Sequence, residues 1–171
     1  MARVEVAFVG GALADRLARL RRATSDLRPT LAAVGLKLIS NTERRFDAET
    51  APDGARWPGL APAYAARKRG SGILTETGML RGTLSSEVTG PDEVTVGAST
   101  PYAAVHQFGA TIRPKAAGGR LVFRGSDGAV WGSAEEVTIP ARPYLGFSDA
   151  DREDVLDALD AMLGAALSGP S

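Results

Sequence analysis

His106 is the residue best suited to chemistry near neutral pH, because an imidazole changes charge between about pH 5 and 8. It is the single histidine of the chain, and cysteine is absent. A metal site of histidine and thiolate ligands, or a relay of two histidines, is therefore excluded within one chain. No serine or carboxylate stands three or four positions away to orient His106 as a general base. We interpret His106 as structural, and a hydrolase that uses it as a lone base is the alternative.

Acidic residues cluster near the carboxyl end, at Asp149, Asp151, Glu153, Asp154 and Asp157. Carboxylates bind divalent metals, but this spacing lacks the loop positions and the central glycine of a calcium site. Carboxylates also stabilise the start of a helix, where the helix dipole is positive. We therefore predict the solvent-facing first turns of a helix here rather than a metal site.

Basic residues form local patches rather than one continuous positively charged surface. Lys plus Arg and Asp plus Glu both number 20, so the net charge is zero and no overall potential attracts DNA or anionic lipid. No helix–turn–helix, zinc finger or aromatic stacking platform is visible. We expect the patches to face solvent or pair with carboxylates, and local contact with DNA phosphates is the alternative. Their members are Arg16, Arg19, Arg21, Arg22, Arg44, Arg45, Arg67, Lys68 and Arg69.

The glycines do not form a phosphate-binding loop. Gly10-Gly11 lacks the Lys and Ser or Thr that would follow in such a loop, and Gly118-Gly119 falls in a hairpin-like segment. We therefore predict no catalytic, cofactor-binding or metal-binding residues, no cofactor and no enzymatic activity.

The elements that position these residues follow from composition and periodicity. With 171 residues, 44% hydrophobic and 23% charged, the chain suits a single domain over residues 1–171. Alternating apolar residues predict an opening strand at Val4–Phe8, and leucines at helical spacing predict a short helix after Gly11. Caps at Ser25 and Asp26 predict a second helix over about 27–49, and a cap at Ser148 predicts the last helix.

The middle of the chain is predicted to be rich in strands. Turn residues at Gly90–Asp92 predict a hairpin between residues 84–88 and 93–96, and a short helix is predicted over 102–108. Further strands are predicted over 111–113, 120–124 and 136–139. The fold class is therefore α+β: a mainly antiparallel sheet of about five strands, flanked by a long N-terminal helix and a C-terminal helix. An irregular arm spans about 51–76, and a variable loop region spans about 115–135.

A series of motifs without chemistry is the most specific feature of the sequence. It includes Pro52-Asp53-Gly54-Ala55-Arg56-Trp57, Thr77-Gly78, Tyr102-Ala103 with His106-Gln107-Phe108-Gly109, and the run from Ile139 to Ser148, Ile-Pro-Ala-Arg-Pro-Tyr-Leu-Gly-Phe-Ser. Over about two thirds of its length the chain resembles the phage virion morphogenesis family of Mu-like phages, which is similar to phage tail-completion proteins. The stretch over 115–135 is individual to this chain.

The resemblance implies a structural virion protein that assembles at the head–tail junction, completes or terminates the tail and supports head–tail joining. A neck protein that contacts DNA is the alternative. The implied partners are further copies of the chain in a ring, as a hexamer, and neighbouring neck, tail-terminator or tail-tube proteins, with genomic DNA in passing contact. The residues expected at inter-subunit or partner contacts are Trp57, Tyr102, His106, Arg142 and Tyr144.

The implied location is the virion, at the head–tail junction or tail end, and the host cytoplasm before assembly. No membrane contact is expected, because no stretch approaches the roughly 20 apolar residues of a membrane helix. The amino terminus, with Arg3 and Glu5, also lacks the apolar core of a signal peptide.

Overall fold

A computed structural model describes residues 11–70, 72–116, 118–125 and 128–168 of the chain. The predicted strand at Val4–Phe8 lies outside the described residues. The chain divides into two compact units. The helical unit comprises the described residues up to Leu38, Ser86–Thr95 and those from Asp149 onward, and the aromatic unit comprises Ile39–Ser85 and Val96–Ser148.

The described chain contains six helices and six strands, and four of the helices precede the first strand. The helices are α1 (Gly11–Ser25), α2 (Arg28–Ala48), α3 (Pro62–Ala65), α4 (Met79–Gly82), α5 (Ala103–Phe108) and α6 (Asp149–Ser168). The strands are β1 (Leu84–Val88), β2 (Val94–Ala98), β3 (Ala110–Ile112), β4 (Leu121–Arg124), β5 (Val130–Ala134) and β6 (Val137–Ile139).

The predicted α+β class and its terminal helices are confirmed. The strands do not join into one sheet of about five, however: the described strands form three two-stranded sheets, β1–β2, β3–β6 and β4–β5. β3 and β6 pair antiparallel with Thr111 opposite Thr138, and β4 and β5 pair antiparallel with Val122 opposite Ser133. Strands of three to five residues can pair without forming a wide sheet when helices and loops supply the rest of the packing.

Local sequence accounts for the helical unit. The Asp26 carboxylate accepts a hydrogen bond from the backbone N–H of Arg28 at 3.1 Å, which caps α2 as predicted. α1 packs on α6, and the Arg19 Nε donates to the Ala166 carbonyl at 3.2 Å. On α2, a Cβ added at Gly35 would lie 2.7 Å from the Ser86 Oγ, so glycine permits the close approach of the β1–β2 hairpin.

The core of the aromatic unit is built on three rings. Phe46 lies edge-on to Trp57 at 5.5 Å and tilted against Tyr144 at 5.3 Å between ring centroids. Leu80 and Ile73 are buried in the same cluster. Edge-to-face and tilted arrangements match the quadrupoles of aromatic rings and add to the hydrophobic gain of burial. The C-terminal half of α2, the arm and the segment before α6 are thereby held on one core.

The arm over 51–76 is irregular in structure but ordered by backbone hydrogen bonds. The backbone N–H of Trp57 donates to the Glu49 carbonyl at 2.8 Å, and the backbone N–H of Ile73 donates to the Glu49 carboxylate at 2.5 Å. The Ala51 N–H donates to the Ala55 carbonyl at 2.8 Å and closes the Pro52–Gly54 turn. One residue, Glu49, thus anchors the arm at Trp57 and at Ile73 to the end of α2.

Candidate functional site

The motif run from Ile139 to Ser148, called the corner below, connects β6 to α6. Arg142 is buried there: its Nε donates to the Pro58 carbonyl and its Nη2 to the Gly59 carbonyl, both at 2.8 Å. In the sequence, Pro140 and Pro143 flank Arg142 and leave it free for a bidentate contact with a carboxylate, but the structure gives it two carbonyl acceptors instead. Two consecutive carbonyls of the arm present the same paired acceptors to the planar guanidinium. Arg142 therefore fixes the arm to the corner.

Gln107, on α5, holds the corner from a second side. Its Oε1 accepts hydrogen bonds from the backbone N–H groups of Tyr144 at 3.1 Å and Leu145 at 3.0 Å. Its Nε2 donates to the Leu145 carbonyl at 2.8 Å. The side-chain amide thus bonds the corner in the way that a neighbouring strand would, and it satisfies three backbone groups that no sheet reaches.

Arg45, on α2, holds the corner from a third side. Its Nη1 donates to the carbonyls of Tyr144 at 3.3 Å and Gly146 at 3.1 Å, and its Nη2 donates to the Ser148 Oγ at 3.1 Å. The sequence predicted that Arg45 faces solvent or pairs with a carboxylate. It is buried, so the solvent-facing interpretation is wrong for this residue. Arg45 follows the partly buried Leu38 by seven residues and the buried Val34 by eleven, and this helical spacing on α2 is the signal that would have indicated burial.

The aromatic core also bonds the corner. The Trp57 Nε1 donates to the Pro143 carbonyl at 2.8 Å, so this ring contributes both apolar surface and a satisfied polar group. The Tyr144 hydroxyl donates to the Ala103 carbonyl at 3.4 Å, and burial raises the pKa of the Tyr144 phenol. Trp57 and Tyr144, two of the five residues expected at partner contacts, are thus largely buried within the chain itself.

Two glycines make the corner possible. Gly109 has a φ of +75°, and a Cβ there would lie 2.8 Å from the backbone nitrogen of Ala141. A Cβ at Gly146 would lie 2.6 Å from the Cγ of Pro52. Both distances are shorter than any that a side chain tolerates, so glycine is required where α5 and the Pro52 turn approach the corner.

His106 lies beside the corner but is not positioned as a general base by any described residue. Its backbone carbonyl accepts a hydrogen bond from the Arg142 N–H at 2.7 Å, and the ring lies edge-on to Tyr102 at 5.7 Å. Within the described residues the buried Nδ1 has no hydrogen-bond partner. Burial, with a smaller contribution from the Arg142 charge, lowers the pKa of His106. Both effects favour the neutral form of the imidazole over the charged form.

The lowered pKa of His106 predicts the pH dependence of stability. Because the folded state binds this proton less readily than the unfolded state, acidification through the ordinary histidine range favours unfolding. We expect the melting temperature to fall between about pH 7.5 and 5.5, and the His106→Gln variant to lose that part of the fall. Thermal unfolding followed by circular dichroism measures both proteins. Parallel curves for the two would contradict the assignment.

The structure brings four of the five predicted contact residues to the corner or its supports. Trp57, Arg142 and Tyr144 are buried, and His106 is half-buried. Tyr102, at the start of α5, is exposed. Sequence reasoning did not select Gln107 or Arg45, although Gln107 stands in a motif that it singled out. Within the described ranges, no group of acidic or histidine side chains could hold a metal ion, and no helix is long and apolar enough to cross a membrane.

The side chains that converge on the corner bind main-chain groups of the same chain, so the corner is a site that holds the fold together. The sequence profile of the phage virion morphogenesis family matches residues 9–164, and the chain belongs to this family. The family is one of phage structural and morphogenesis proteins.

Two relatives come from Mu and a Mu-like prophage. The chain is 28% identical to protein G of Escherichia phage Mu, named for capsid assembly, over 76% of this chain and 75% of that protein. It is 30% identical to the Mu-like prophage FluMu G protein 2 of Haemophilus influenzae, over 85% of this chain and 84% of that protein. No solved structure gives a significant match.

Proposed function

We propose that the chain is a structural virion subunit that assembles at the head–tail junction, where it completes or terminates the tail and supports head–tail joining. Membership of the virion morphogenesis family supports the assembly role. The proposed partners are further copies in a ring, as a hexamer, and the neighbouring neck, tail-terminator or tail-tube proteins. Contacts between two different surfaces of one subunit produce such a ring when the rotation closes.

The observation that carries this proposal is a rigid corner flanked by exposed aromatic side chains. Arg45, Gln107 and Arg142 fix the corner and the end of α5. Immediately beside these bonded groups, Phe108 is 77% exposed and Phe147 is 61% exposed. Large apolar side chains held outside the core on a rigid frame are typical of protein interaction surfaces. Phe108 stands in the His106-Gln107-Phe108-Gly109 motif, and Phe147 stands in the run from Ile139 to Ser148.

The experiment that tests the proposal is deletion of the gene in the phage or prophage that carries it, with complementation from a plasmid. Electron microscopy of the lysate is expected to show heads and tails that are unjoined or tails of abnormal length. Complementation with the wild-type chain should restore joined particles. Normal, infectious virions from the deletion phage would overturn the proposal.

A pair of variants connects the proposal to the exposed rings. Complementation with Phe108→Ser plus Phe147→Ser is expected to lower the titre of joined virions by at least about tenfold, as loss of interface anchors does. Leu36→Ser changes a side chain on α2 that is 66% exposed and should complement fully. Full complementation by the double variant, with normal soluble yield, would show that these rings contribute nothing to assembly.

A neck protein that contacts DNA remains the second candidate, because α1 carries Arg16, Arg19, Arg21 and Arg22 on 15 residues. Binding through these groups would weaken steeply with salt, since each phosphate contact releases counterions. Electrophoretic retardation of duplex DNA at low salt tests this candidate. No retardation at micromolar protein would exclude it.

A further inference from the structure

Outside the corner, the aromatic unit contains a pocket of about 650 Å³ between the arm and the β4–β5 hairpin. Its wall combines apolar rings with guanidinium groups and one carboxylate. The residues that matter for its chemistry are Tyr64, Trp131, Arg67, Arg69, Arg124 and Glu76. This combination of three cations and two aromatic rings matches the composition of protein interaction hot spots.

Two guanidinium groups of this pocket, those of Arg67 and Arg124, are held in place by contacts other than carboxylates. The Arg67 guanidinium lies 5.2 Å from the centroid of the Trp131 ring, and its Nη1 donates to the Ala63 carbonyl at 3.1 Å. The Arg124 Nη1 donates to the Gly128 carbonyl at 3.1 Å. Within the described residues, neither Arg67 nor Arg124 pairs with a carboxylate. Each therefore keeps donors for an anionic group from outside.

The carboxylate within the pocket does not neutralise this charge. Glu76 accepts hydrogen bonds from the Lys68 Nζ at 3.0 Å and the Arg69 N–H at 3.1 Å, and the Lys68 bond lowers the pKa of the Glu76 carboxyl. Because Glu76 is already matched by Lys68, the pocket keeps a net positive charge. A ligand of complementary chemistry carries carboxylates around an apolar side chain.

The chain itself has such a surface on α6. Glu153, Leu156, Asp157 and Asp160 follow helical spacing and lie within one exposed stripe, and Leu156 is 54% exposed. Asp154 faces elsewhere on the helix and pairs with Lys37 at 3.4 Å. The stripe thus places three carboxylates around one exposed leucine, which complements the guanidinium groups of Arg67 and Arg124 and the two rings of the pocket.

We infer that the arginine pocket binds the acidic stripe of α6 from a second copy of this chain. The inference rests on the proposed assembly of copies and names its contact surfaces. Because the pocket and the stripe are different surfaces, each copy uses one to bind the copy before it and the other to bind the copy after it. Such head-to-tail contacts extend a chain of copies or close it into a ring. Closely opposed charges around a small apolar centre fix the register.

Duplex DNA fits this pocket less well. The chain has no net positive charge to attract a polyanion, and a concave pocket with its own carboxylate suits inserted side chains better than a continuous phosphate backbone. A pocket that binds duplex DNA would instead be a phosphate-binding site, and the test below distinguishes the two.

The test is charge reversal in the full-length chain, with self-association measured by analytical ultracentrifugation at low salt. Arg67→Glu plus Arg124→Glu, and separately Glu153→Arg plus Asp157→Arg, should each weaken self-association by at least about tenfold, because like charges then face each other. An equimolar mixture of the two variants restores opposite charges at every contact and should associate like the wild type. Arg21→Glu plus Arg22→Glu, the matched control on α1, should change self-association less than about twofold.

A second measurement serves the case in which the wild-type chain does not self-associate in solution and assembles only on a phage template. Because the sequence has no cysteine, Thr77→Cys in the pocket wall and Leu156→Cys in the stripe introduce the only thiols. Mild oxidation of lysates from a complemented phage should give a ladder of disulfide-linked oligomers from the double variant and none from either single variant.

Three results would overturn the inference. The first is self-association of the pocket variant at wild-type strength; the second is no ladder in assembled particles together with no restoration in the mixture. The third is loss of duplex DNA retardation in the pocket variant while self-association is intact, which would assign the pocket to phosphate. None of these bears on whether the deletion phage fails to join heads to tails, so the inference and the proposed function fail separately.

Discussion

Replacing Phe46 with alanine is expected to lower the free energy of unfolding by about 3–5 kcal/mol, the range measured for truncation of buried aromatic side chains. Phe46 is 2% exposed and contacts both Trp57 and Tyr144. Its removal would leave a cavity between two rings whose polar groups are bound to backbone carbonyls, so neither ring is free to move in and fill it. Urea denaturation followed by tryptophan fluorescence measures the change.

A control on the same helix separates the loss of the ring from any effect on helix propensity. Leu36, also on α2, is 66% exposed, and Leu36→Ala should change the free energy of unfolding by less than about 0.5 kcal/mol. A Phe46→Ala loss of about 1 kcal/mol or less would mean that the three-ring cluster does not hold this unit together.

Replacing Gln107 with leucine is expected to cost about 3 kcal/mol, because it leaves two N–H groups and one carbonyl of the corner without partners. These are the N–H groups of Tyr144 and Leu145 and the Leu145 carbonyl. Leucine keeps a similar volume, so the loss reports the hydrogen bonds more than the packing. Urea denaturation gives the free energy, and amide hydrogen exchange at Tyr144 and Leu145 should accelerate more than the average.

The matched control removes a hydrogen bond that solvent can replace. The hydroxyls of Thr111 and Thr138 lie 3.3 Å apart on the exposed side of the β3–β6 pair. Thr111→Val should therefore change the free energy of unfolding by less than about 0.5 kcal/mol. If Gln107→Leu cost no more than this control, the amide would not be what holds the corner.

Local signals predicted the helices well. The Asp26 cap, the leucine spacing of α1 and the acidic first turns of α6 each act within a few residues of the chain, and the structure confirms helices in these places. The hairpin at Gly90–Asp92 is confirmed for the same reason, since turn chemistry is local.

Pairing partners and burial of polar side chains could not be predicted in the same way. β5 was missed because its Trp131-Gly132-Ser133 sequence does not alternate apolar and polar residues, and its pairing with β4 is decided by the whole hairpin. Arg45 and Arg142 are ordinary surface residues by type, and the carbonyls that the fold brings to them compensate for their burial. Gln107 bonds residues 37 and 38 positions away, which no pattern along the chain reports.

The approach of Gly146 to Pro52 has a consequence for how this protein can vary. A methyl group at position 146 would overlap the proline ring, so any larger residue there requires a smaller one at position 52. The side-chain sizes at positions 52 and 146 therefore constrain each other across 94 residues of chain. Neither position can accept a much larger side chain unless the other changes as well. In a library of variants at positions 52 and 146, the variants that fold should combine a large residue at one position with a small residue at the other. Variants with large residues at both positions should be missing from the folded set.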